Sequence, residues 1–216
     1  VDVQALDCDF LACSAYKFFG PHVGIVYGKY EHLASLPAYK IRPAPDQVPD
    51  RWETGTQNHE GLAGVAAAVE YLAHIGEQFG GAFEGGLSGY TGRRRTLKQA
   101  MQVIKQYELT LSRAILEGLG AIGSLEIRGI TDLEQLEHRV PTVVFNVPGE
   151  DPHAVAQALN AAGIYVWDGN YYALAVMEHL GYEKHGGLVR VGPVHYNTHA
   201  EVERFLTELE RIVRAG

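Results

Sequence analysis

The chain has 216 residues, of which 46% are hydrophobic and 20% are charged, so it can bury a core as one large or two small domains. Its formal net charge of -8 argues against nucleic acid or an anionic membrane surface as a partner. No apolar run approaches the roughly 20 residues of a membrane span, and Cys8 and Cys13 lie too close in sequence to cross-link a fold. We therefore expect a soluble protein of the reducing cytoplasm.

Two short apolar runs near the start of the chain, residues 10–12 and 23–27, predict two β-strands because they are rich in β-branched and aromatic residues. The turn between them is CSAYKFFGPH, residues 13–22. Residues 30–59 are rich in proline and predict a long loop with a short helix near residues 32–36. Loops of this length within compact domains are uncommon and usually functional.

Two helices follow this loop, and each has one apolar face that is expected to be buried. Apolar residues recur at intervals of three and four over residues 62–79 and again over residues 97–115, where Glu108 interrupts the apolar face. The second helix should be about 25 residues long and close near Gly118 and Gly120. The glycine-rich segment 80–86 separates the two helices and is the best candidate for a hinge or a domain boundary.

Strands and helices alternate through the rest of the chain. The pattern predicts strands at 125–130, 141–147, 164–167 and 188–191, and helices at 152–162, 171–180 and 198–213. Asp151-Pro152 and Thr198-His199-Ala200-Glu201 are typical helix starts, and Gly163 and Gly181 are typical helix ends. From about residue 93 onward, the sequence therefore predicts a small α+β domain.

Ser14 stands three residues before Lys17, and the spacing alone leaves three interpretations open. A serine hydrolase with a Ser-x-x-Lys pair needs a helix at Ser14, which Gly20-Pro21 and the flanking strands disfavour. Lys17 could instead be an exposed turn lysine with Ser14 as a turn-stabilising hydroxyl. A lysine that attacks a carbonyl needs a lowered pKa, and its aromatic neighbours could supply an apolar wall for that purpose.

Three ordered motifs resemble those of class V aminotransferase-fold enzymes, the group that contains cysteine desulfurases and selenocysteine lyases. They are VDVQALDCDFLACSAYKFFGPHVGIVYGKYEHL, RWETGTQNHEGLAG and LVRVGPVHYNTHAEVERF. The resemblance spans nearly the whole chain and implies an α/β fold, the C-terminal part of a fold-type I transferase that depends on pyridoxal 5'-phosphate (PLP). Residues 1–92 would be the C-terminal part of the PLP-binding large domain, and residues 93–216 the small C-terminal α+β domain.

The resemblance also implies roles for individual residues. Lys17 matches the lysine that forms a Schiff base with PLP and later moves the Cα proton of an amino-acid substrate. Ser14 matches a hydroxyl that binds the cofactor phosphate, and Thr56 a threonine that reaches the phosphate of the neighbouring subunit in a homodimer. Arg190 is similar to the arginine that pairs with the substrate carboxylate. A turn-capping serine, a loop threonine and a structural salt bridge remain the alternatives for Ser14, Thr56 and Arg190.

The chain departs from the family pattern at several positions. Tyr16 stands where the family often has histidine, and residues 165–172 lack the cysteine and the arginine of the desulfurase persulfide loop. Cys8 and Cys13 are expected to be buried core thiols. Asp168 is hypothesised to contact a cationic end of the substrate. His22 and His195 could face the cofactor, although a solvated or core position is the more ordinary expectation for each.

The family's glycine-rich phosphate turn, ring-stacking aromatic and pyridinium carboxylate would precede Val1. We therefore expect these 216 residues alone to bind PLP poorly. Two hypotheses follow. The parent protein is a PLP enzyme acting on an amino acid as an aminotransferase, lyase or racemase, or the chain is a catalytically silent fragment or scaffold that retains the dimer surface and the small domain.

Overall fold

The chain divides into two units, residues 1–100 and the residues from Met101 onward, in a computed structural model that describes residues 1–83 and 85–215. The dividing point lies within a long helix, α4 (Gly92–Ala121). The assignment of residues 1–92 and 93–216 to a large and a small domain stays a prediction.

The first unit begins with a short helix and a β-hairpin. Helix α1 (Val3–Leu6) is capped by the Asp2 carboxylate, and strand β1 (Phe10–Ser14) pairs antiparallel with β2 (Gly24–Gly28). Both strands were predicted, and each extends slightly beyond its predicted end. The hairpin brings the two ends of the CSAYKFFGPH turn together, because Ser14 lies opposite Gly24.

The proline-rich segment after the hairpin contains the predicted short helix, α2 (Tyr30–Ser35), and a 3-10 turn at Asp50–Trp52 that was not predicted. Two side chains of this turn hold the segment against α2. The Arg51 guanidinium donates to the Ala34 carbonyl at 2.8 Å, and the Trp52 indole donates to the Leu33 carbonyl at 2.9 Å.

Helix α3 (His59–Phe79) confirms the predicted amphipathic helix and starts at an Asn58 cap. It packs closely against the first turns of α4, since a Cβ added at Gly76 would lie 2.1 Å from the Thr96 carbonyl oxygen. The buried side chains of this unit include Ala68, Leu72, Ala73 and Ala100. The glycine-rich segment after α3 starts as a 3-10 turn, Gly80–Phe83, while Glu84 of that segment lies outside the described residues.

Helix α4 is longer than predicted. It continues through Gly118 and Gly120 to Ala121, so these two glycines do not end it. The reason is packing, because Leu119 is buried between them and a Cβ at Gly118 would meet the Leu206 side chain. A buried apolar face outweighs the modest helix penalty of a glycine.

The second unit is a four-stranded antiparallel sheet with helices on it. The strands are β3 (Glu126–Arg128), β4 (Val143–Asn146), β5 (Trp167–Gly169) and β6 (Leu188–Val191), in the order β3-β4-β6-β5. One face, with Val143, Phe145 and Val189, packs into a core with α4, α5 (Pro152–Ala161) and α7 (His199–Ala215). The other face carries Leu188 in a smaller cluster with α6 (Leu174–Leu180).

The predicted helix caps of this unit are confirmed. The Asp151 carboxylate accepts the His153 N–H ahead of α5, and Gly181 ends α6 with a φ of 82°. Thr198 and Glu201 form a reciprocal capping box at the start of α7, in which each side chain accepts the other residue's backbone N–H. Gly163 follows α5 with a φ of 73°.

Two further predicted boundaries are wrong, and both lie around the same turn. The strand predicted at 164–167 is β5 (Trp167–Gly169), and the helix predicted from residue 171 starts only at Leu174. The cause is the backbone of Tyr171 and Tyr172, whose φ values of 54° and 62° are incompatible with a right-handed helix. Two 3-10 segments, Leu133–His138 and Glu183–His185, were also not predicted.

None of the helices in the described ranges combines the length and the apolar character needed to cross a lipid bilayer.

Candidate functional site

Lys17 lies in a single turn of 3-10 helix, Ala15–Phe18, between the two strands of the hairpin. The turn is tied to its surroundings by backbone hydrogen bonds from Ala15 N to the Val23 carbonyl and from Gly20 N to the Ala15 carbonyl, both 2.9 Å. Ala15 is fully buried, whereas the Lys17 side chain is exposed. Within the described parts of the chain, the Lys17 amine forms no hydrogen bond or ion pair.

Ser14 is the last residue of β1 and the N-cap of the turn that contains Lys17. Its side chain forms no capping hydrogen bond to that turn. This half-buried hydroxyl is therefore not used for the local turn stabilisation that a capping serine would provide.

Aromatic residues lie in and next to the turn, as the sequence indicated. Tyr16 stacks on His22, with ring centroids 4.9 Å apart and an interplanar angle of 28°. Phe19 ends the 3-10 turn in a left-handed conformation with a φ of 69°, which is a rare conformation for a bulky residue. His22 is thus placed against Tyr16, the residue that stands where the family often has histidine.

Thr56 lies in an exposed loop just before α3. Gly55 precedes it with a φ of 78°, and the Asn58 carboxamide oxygen accepts the Gly61 N–H at 2.9 Å to start the helix. The described contacts include no hydrogen bond that joins Thr56 to Ser14 or to Lys17. The structure therefore brings Ser14 and Lys17 together in one turn and leaves Thr56 as an exposed hydroxyl of a separate loop.

Arg190 lies on β6, on the face of the sheet that carries Leu188. Its guanidinium carbon is 4.9 Å from the centre of the Trp167 ring and 5.0 Å from the centre of the Tyr171 ring. No carboxylate in the described ranges forms an ion pair with Arg190. The structural salt bridge that the sequence left open for this residue is absent from that part of the chain.

Asp168 and His153 form an interaction that the sequence did not predict. The Asp168 carboxylate lies 3.1 Å from His153 Nδ1, and the Gln157 amide lies 3.0 Å from His153 Nε2. Asp168 is opposite Val189, one residue along from the Trp167–Arg190 pair, so it belongs to the other face of the sheet. The Asp168 carboxylate already has a cationic partner when His153 is protonated.

The loop after β6 is anchored to α4 by two residues that the sequence did not assign. The Glu108 carboxylate accepts the backbone N–H of His195 at 3.1 Å, and the Tyr107 hydroxyl donates to the Asn197 carbonyl at 2.7 Å. Burial raises the pKa of Glu108, while the hydrogen bond from the His195 backbone opposes that shift. Burial also lowers the pKa of the His195 imidazole. The acidic interruption of the apolar face was the sequence signal for this contact.

The two cysteines are not buried core thiols, which corrects the expectation for them. Cys13 is exposed on β1, and Cys8 is half-buried with its sulfur 3.9 Å from the Val3 carbonyl. Cys8 precedes strand β1, and Cys13 lies on β1 opposite Ile25, in a sheet of only two strands.

The profile of the family "Aminotransferase class-V" matches residues 1–91 and 90–205. The chain belongs to the aminotransferase class-V family. This confirms the resemblance seen in the three sequence motifs. Class-V aminotransferases and cysteine desulfurases depend on PLP, in agreement with the predicted cofactor.

The chain is also similar to named members of this family. A cysteine desulfurase of Escherichia coli O127:H6 is 30% identical over 227 residues, covering 99% of this chain and 48% of that protein, and one of Shigella flexneri gives the same values. The solved apo cysteine desulfurase of Thermococcus onnurineus is 29% identical, with a TM-score of 0.74 over 99% of this chain and 49% of that one. The chain spans about half the length of the curated relatives it matches, and the fold is that of part of a fold-type I PLP enzyme.

The residues of the hairpin turn fit a phosphorylated aldehyde such as PLP. Lys17 offers a primary amine that no described carboxylate neutralises, and Ser14 offers a hydroxyl that the turn does not use. An amine can bond to an aldehyde carbon, and a hydroxyl can donate to a phosphate oxygen. The donor set of this turn therefore suits the cofactor of the family.

Proposed function

We propose that the protein is a PLP-dependent enzyme that acts on an α-amino acid as an aminotransferase or a lyase, with Lys17 as the residue that carries the cofactor. The observation that supports this most directly is the position of the Lys17 amine. It is exposed, makes no ion pair in the described ranges, and lies in the same turn as the unused hydroxyl of Ser14.

In this proposal, Lys17 has two tasks. Its Nζ would hold the cofactor at the aldehyde carbon, with loss of one water molecule, and as a free amine the same nitrogen would take the proton from the substrate Cα. The bound cofactor supplies an electron sink for the bond that breaks. The short turn fixes the position of the Lys17 backbone, because Ala15 is buried and hydrogen-bonded to Val23.

Ser14 and Thr56 are proposed to donate to the cofactor phosphate. Ser14 shares the turn with Lys17, so phosphate and aldehyde would be held at two fixed points of one ligand. Thr56, on its exposed loop, is proposed to serve the cofactor of a neighbouring subunit, which makes the active protein a homodimer. The exposure of Thr56 within its own chain supports a partner outside that chain.

Arg190 is proposed to bind the substrate carboxylate. Its planar guanidinium can donate two parallel hydrogen bonds to a carboxylate, and the described residues provide no carboxylate that competes for it. Binding of this kind orients the substrate so that one bond at Cα is aligned for cleavage, which can lower a barrier by several kcal/mol.

Residues 165–172 contain no cysteine, so we propose that the reaction does not pass sulfur to a cysteine in this segment. Cysteine desulfurase is the name of the proteins to which the chain is similar. For this chain the proposal is limited to the cofactor, the amino-acid substrate class and the roles of the named residues.

A second candidate function is a catalytically silent fragment or scaffold of such an enzyme. The observation that favours it is the exposure of the Lys17 side chain, since lysine amines that attack carbonyls are commonly desolvated. Under this alternative the hairpin turn would hold no cofactor.

Lys17→Ala in the whole protein separates these functions. The protein is incubated with PLP, reduced with borohydride to fix any cofactor on its lysine, and mapped by peptide mass spectrometry. We expect the cofactor mass on the peptide that contains Lys17, and its loss from that peptide in Lys17→Ala. The matched control is Lys105→Ala, an exposed lysine on α4. Cofactor absent from the wild-type Lys17 peptide would overturn the enzyme proposal and leave the scaffold.

A further inference from the structure

The guanidinium of Arg190 lies in a corner formed by two aromatic rings. The Trp167 and Tyr171 rings are nearly perpendicular, with an interplanar angle of 85° and centroids 6.4 Å apart. The Arg190 guanidinium carbon is within 5.0 Å of both centroids. At these distances the negative faces of the rings attract the cation. In the described parts of the chain, aromatic rings and not a carboxylate therefore hold this charge.

The register of the sheet places Trp167 against Arg190. The two residues are directly opposite each other in the antiparallel pair of β5 and β6, so their side chains leave the sheet on the same face. The position of the Trp167 ring, which is one wall of the corner, is therefore set by the backbone pairing of β5 and β6.

Tyr171 forms the other wall and lies outside the strands. Its hydroxyl donates to the Leu188 carbonyl, and at 3.5 Å it also approaches the Trp167 carbonyl. Burial raises the pKa of the Tyr171 phenol, the charge of Arg190 opposes that shift, and Asp168 adds a smaller increase, so the hydroxyl stays a neutral donor. The far end of the ring is thus tied to both strands of the corner.

The backbone of Tyr171 is held in an unfavourable conformation. Its φ is 54°, and Tyr172 follows with a φ of 62°. Asn170 holds this turn, because its carbonyl accepts the Ala173 N–H at 2.7 Å and its side chain accepts the Tyr172 N–H at 3.2 Å. Bulky residues in the left-handed region are uncommon and occur often at ligand sites, where the surrounding structure enforces them.

We propose that Tyr171 is a positioning residue for Arg190. The Tyr171 ring, held by its hydroxyl bond to Leu188, keeps the guanidinium against Trp167 and leaves its N–H groups free for a substrate carboxylate. The inference rests on the proposed function, in which Arg190 binds that carboxylate. A side chain already held in its binding conformation loses less entropy when the ligand binds, so Tyr171 raises the affinity of a carboxylate without contacting it.

The test uses the whole protein, loaded with PLP and labelled with 5-fluorotryptophan, in ¹⁹F NMR titrations. The Trp167 signal is assigned by its absence from Trp167→Phe. The probes are L-alanine and L-alaninamide, which differ only in the carboxylate. We expect L-alanine to shift the Trp167 signal and L-alaninamide to leave it nearly unchanged. Tyr171→Phe should weaken L-alanine binding roughly threefold to tenfold and lower its selectivity over the amide, because the ring loses its hydroxyl bond.

Tyr172→Phe is the matched control, since it is the neighbouring tyrosine, shares the left-handed backbone and has an exposed side chain. It should bind L-alanine as the wild type does. If Tyr171→Phe lowers the melting temperature but keeps wild-type affinity and selectivity, Tyr171 has only a structural role and the inference is wrong. If L-alanine does not shift the Trp167 signal of the wild-type protein, the inference is also wrong. The borohydride mapping of Lys17 tests the proposed function separately.

Discussion

The Glu108 carboxylate of α4 accepts the backbone N–H of His195 at 3.1 Å, across 87 positions of sequence. Only 17% of the Glu108 side chain and 7% of the His195 side chain are exposed. The carboxylate thus fixes the loop that follows β6, and β6 carries Arg190. An acidic residue that interrupts an apolar helix face serves here as a buried hydrogen-bond acceptor.

The first prediction concerns the pH dependence of stability at Glu108. Burial raises its folded-state pKa above the ordinary value of 4.5, so the associated stability is present below that value and is lost as pH rises through the folded-state pKa. Glu108→Gln keeps an acceptor and carries no charge. We expect its free energy of unfolding, relative to wild type, to increase between about pH 4 and pH 7, by an amount of order 1 kcal/mol.

Urea denaturation at a series of pH values measures this difference. Glu117→Gln, an exposed glutamate on the same helix, is the control and should show no such trend. A relative stability that decreases with pH in Glu108→Gln would mean that folding favours the charged carboxylate, against the burial argument.

Most elements could be predicted from the sequence because their signals are local. The three-and-four spacing of α3, the Asp151 cap of α5 and the capping box of α7 are contained within each segment. The turn between β5 and α6 could not be predicted, because the left-handed backbone of Tyr171 and Tyr172 depends on tertiary contacts. The apolar pattern indicated a helix there, whereas in the folded chain the Tyr171 hydroxyl donates to the distant Leu188 carbonyl.

The candidate site, like the fold, could be predicted only in part from local sequence signals. The motifs indicated Lys17, Ser14 and Arg190 as residues, but the aromatic corner around Arg190 depends on which residue lies opposite it in the sheet. Strand register across more than 20 residues of chain is not readable from periodicity alone. The contact between Glu108 and His195 had only an indirect signal, the break in the apolar face of the helix.

The second prediction concerns the cap of α3, next to the Thr56 loop. A Cβ added at Gly61 would lie 2.4 Å from the Asn58 side-chain nitrogen, so Gly61→Ala displaces the capping side chain. We expect Gly61→Ala to lower the free energy of unfolding by about 1 kcal/mol, similar to Asn58→Ala.

The double variant Asn58→Ala/Gly61→Ala tests whether the two substitutions act through the same contact. Asn58→Ala removes the three atoms nearest to the added Cβ, so in that background Gly61→Ala should stabilise the protein, because alanine favours a helix over glycine by up to about 1 kcal/mol. The four proteins of this cycle are compared by denaturant unfolding. Additive effects of the two substitutions would show that the cap and the glycine are independent.

The third prediction tests the close approach of β5 and β6 beside Arg190. A Cβ at Gly187 would lie 2.1 Å from the Gly169 carbonyl oxygen, and the φ of Gly187 is 84°. Gly187→Ala should therefore cost about 2 kcal/mol or more in unfolding free energy. Gly120→Ala, a helix position with open space around it, should instead be neutral or stabilising by up to about 1 kcal/mol. Equal effects of the two substitutions would contradict the crowding at Gly187.

The last prediction separates a phosphate-binding role of Ser14 from a capping role. The Ser14 side chain makes no capping hydrogen bond, so Ser14→Ala should change the free energy of unfolding without cofactor by less than about 0.5 kcal/mol. A hydrogen bond to a charged phosphate contributes about 1.5–3 kcal/mol, so PLP affinity should fall roughly tenfold to a hundredfold. Equilibrium dialysis of the whole protein against PLP, and unfolding of that protein without cofactor, measure the two quantities. Ser14→Thr keeps a hydroxyl and should recover part of the affinity, whereas Ser88→Ala, an exposed serine, should change neither quantity. Lost stability with unchanged PLP affinity in Ser14→Ala would assign the hydroxyl to the turn.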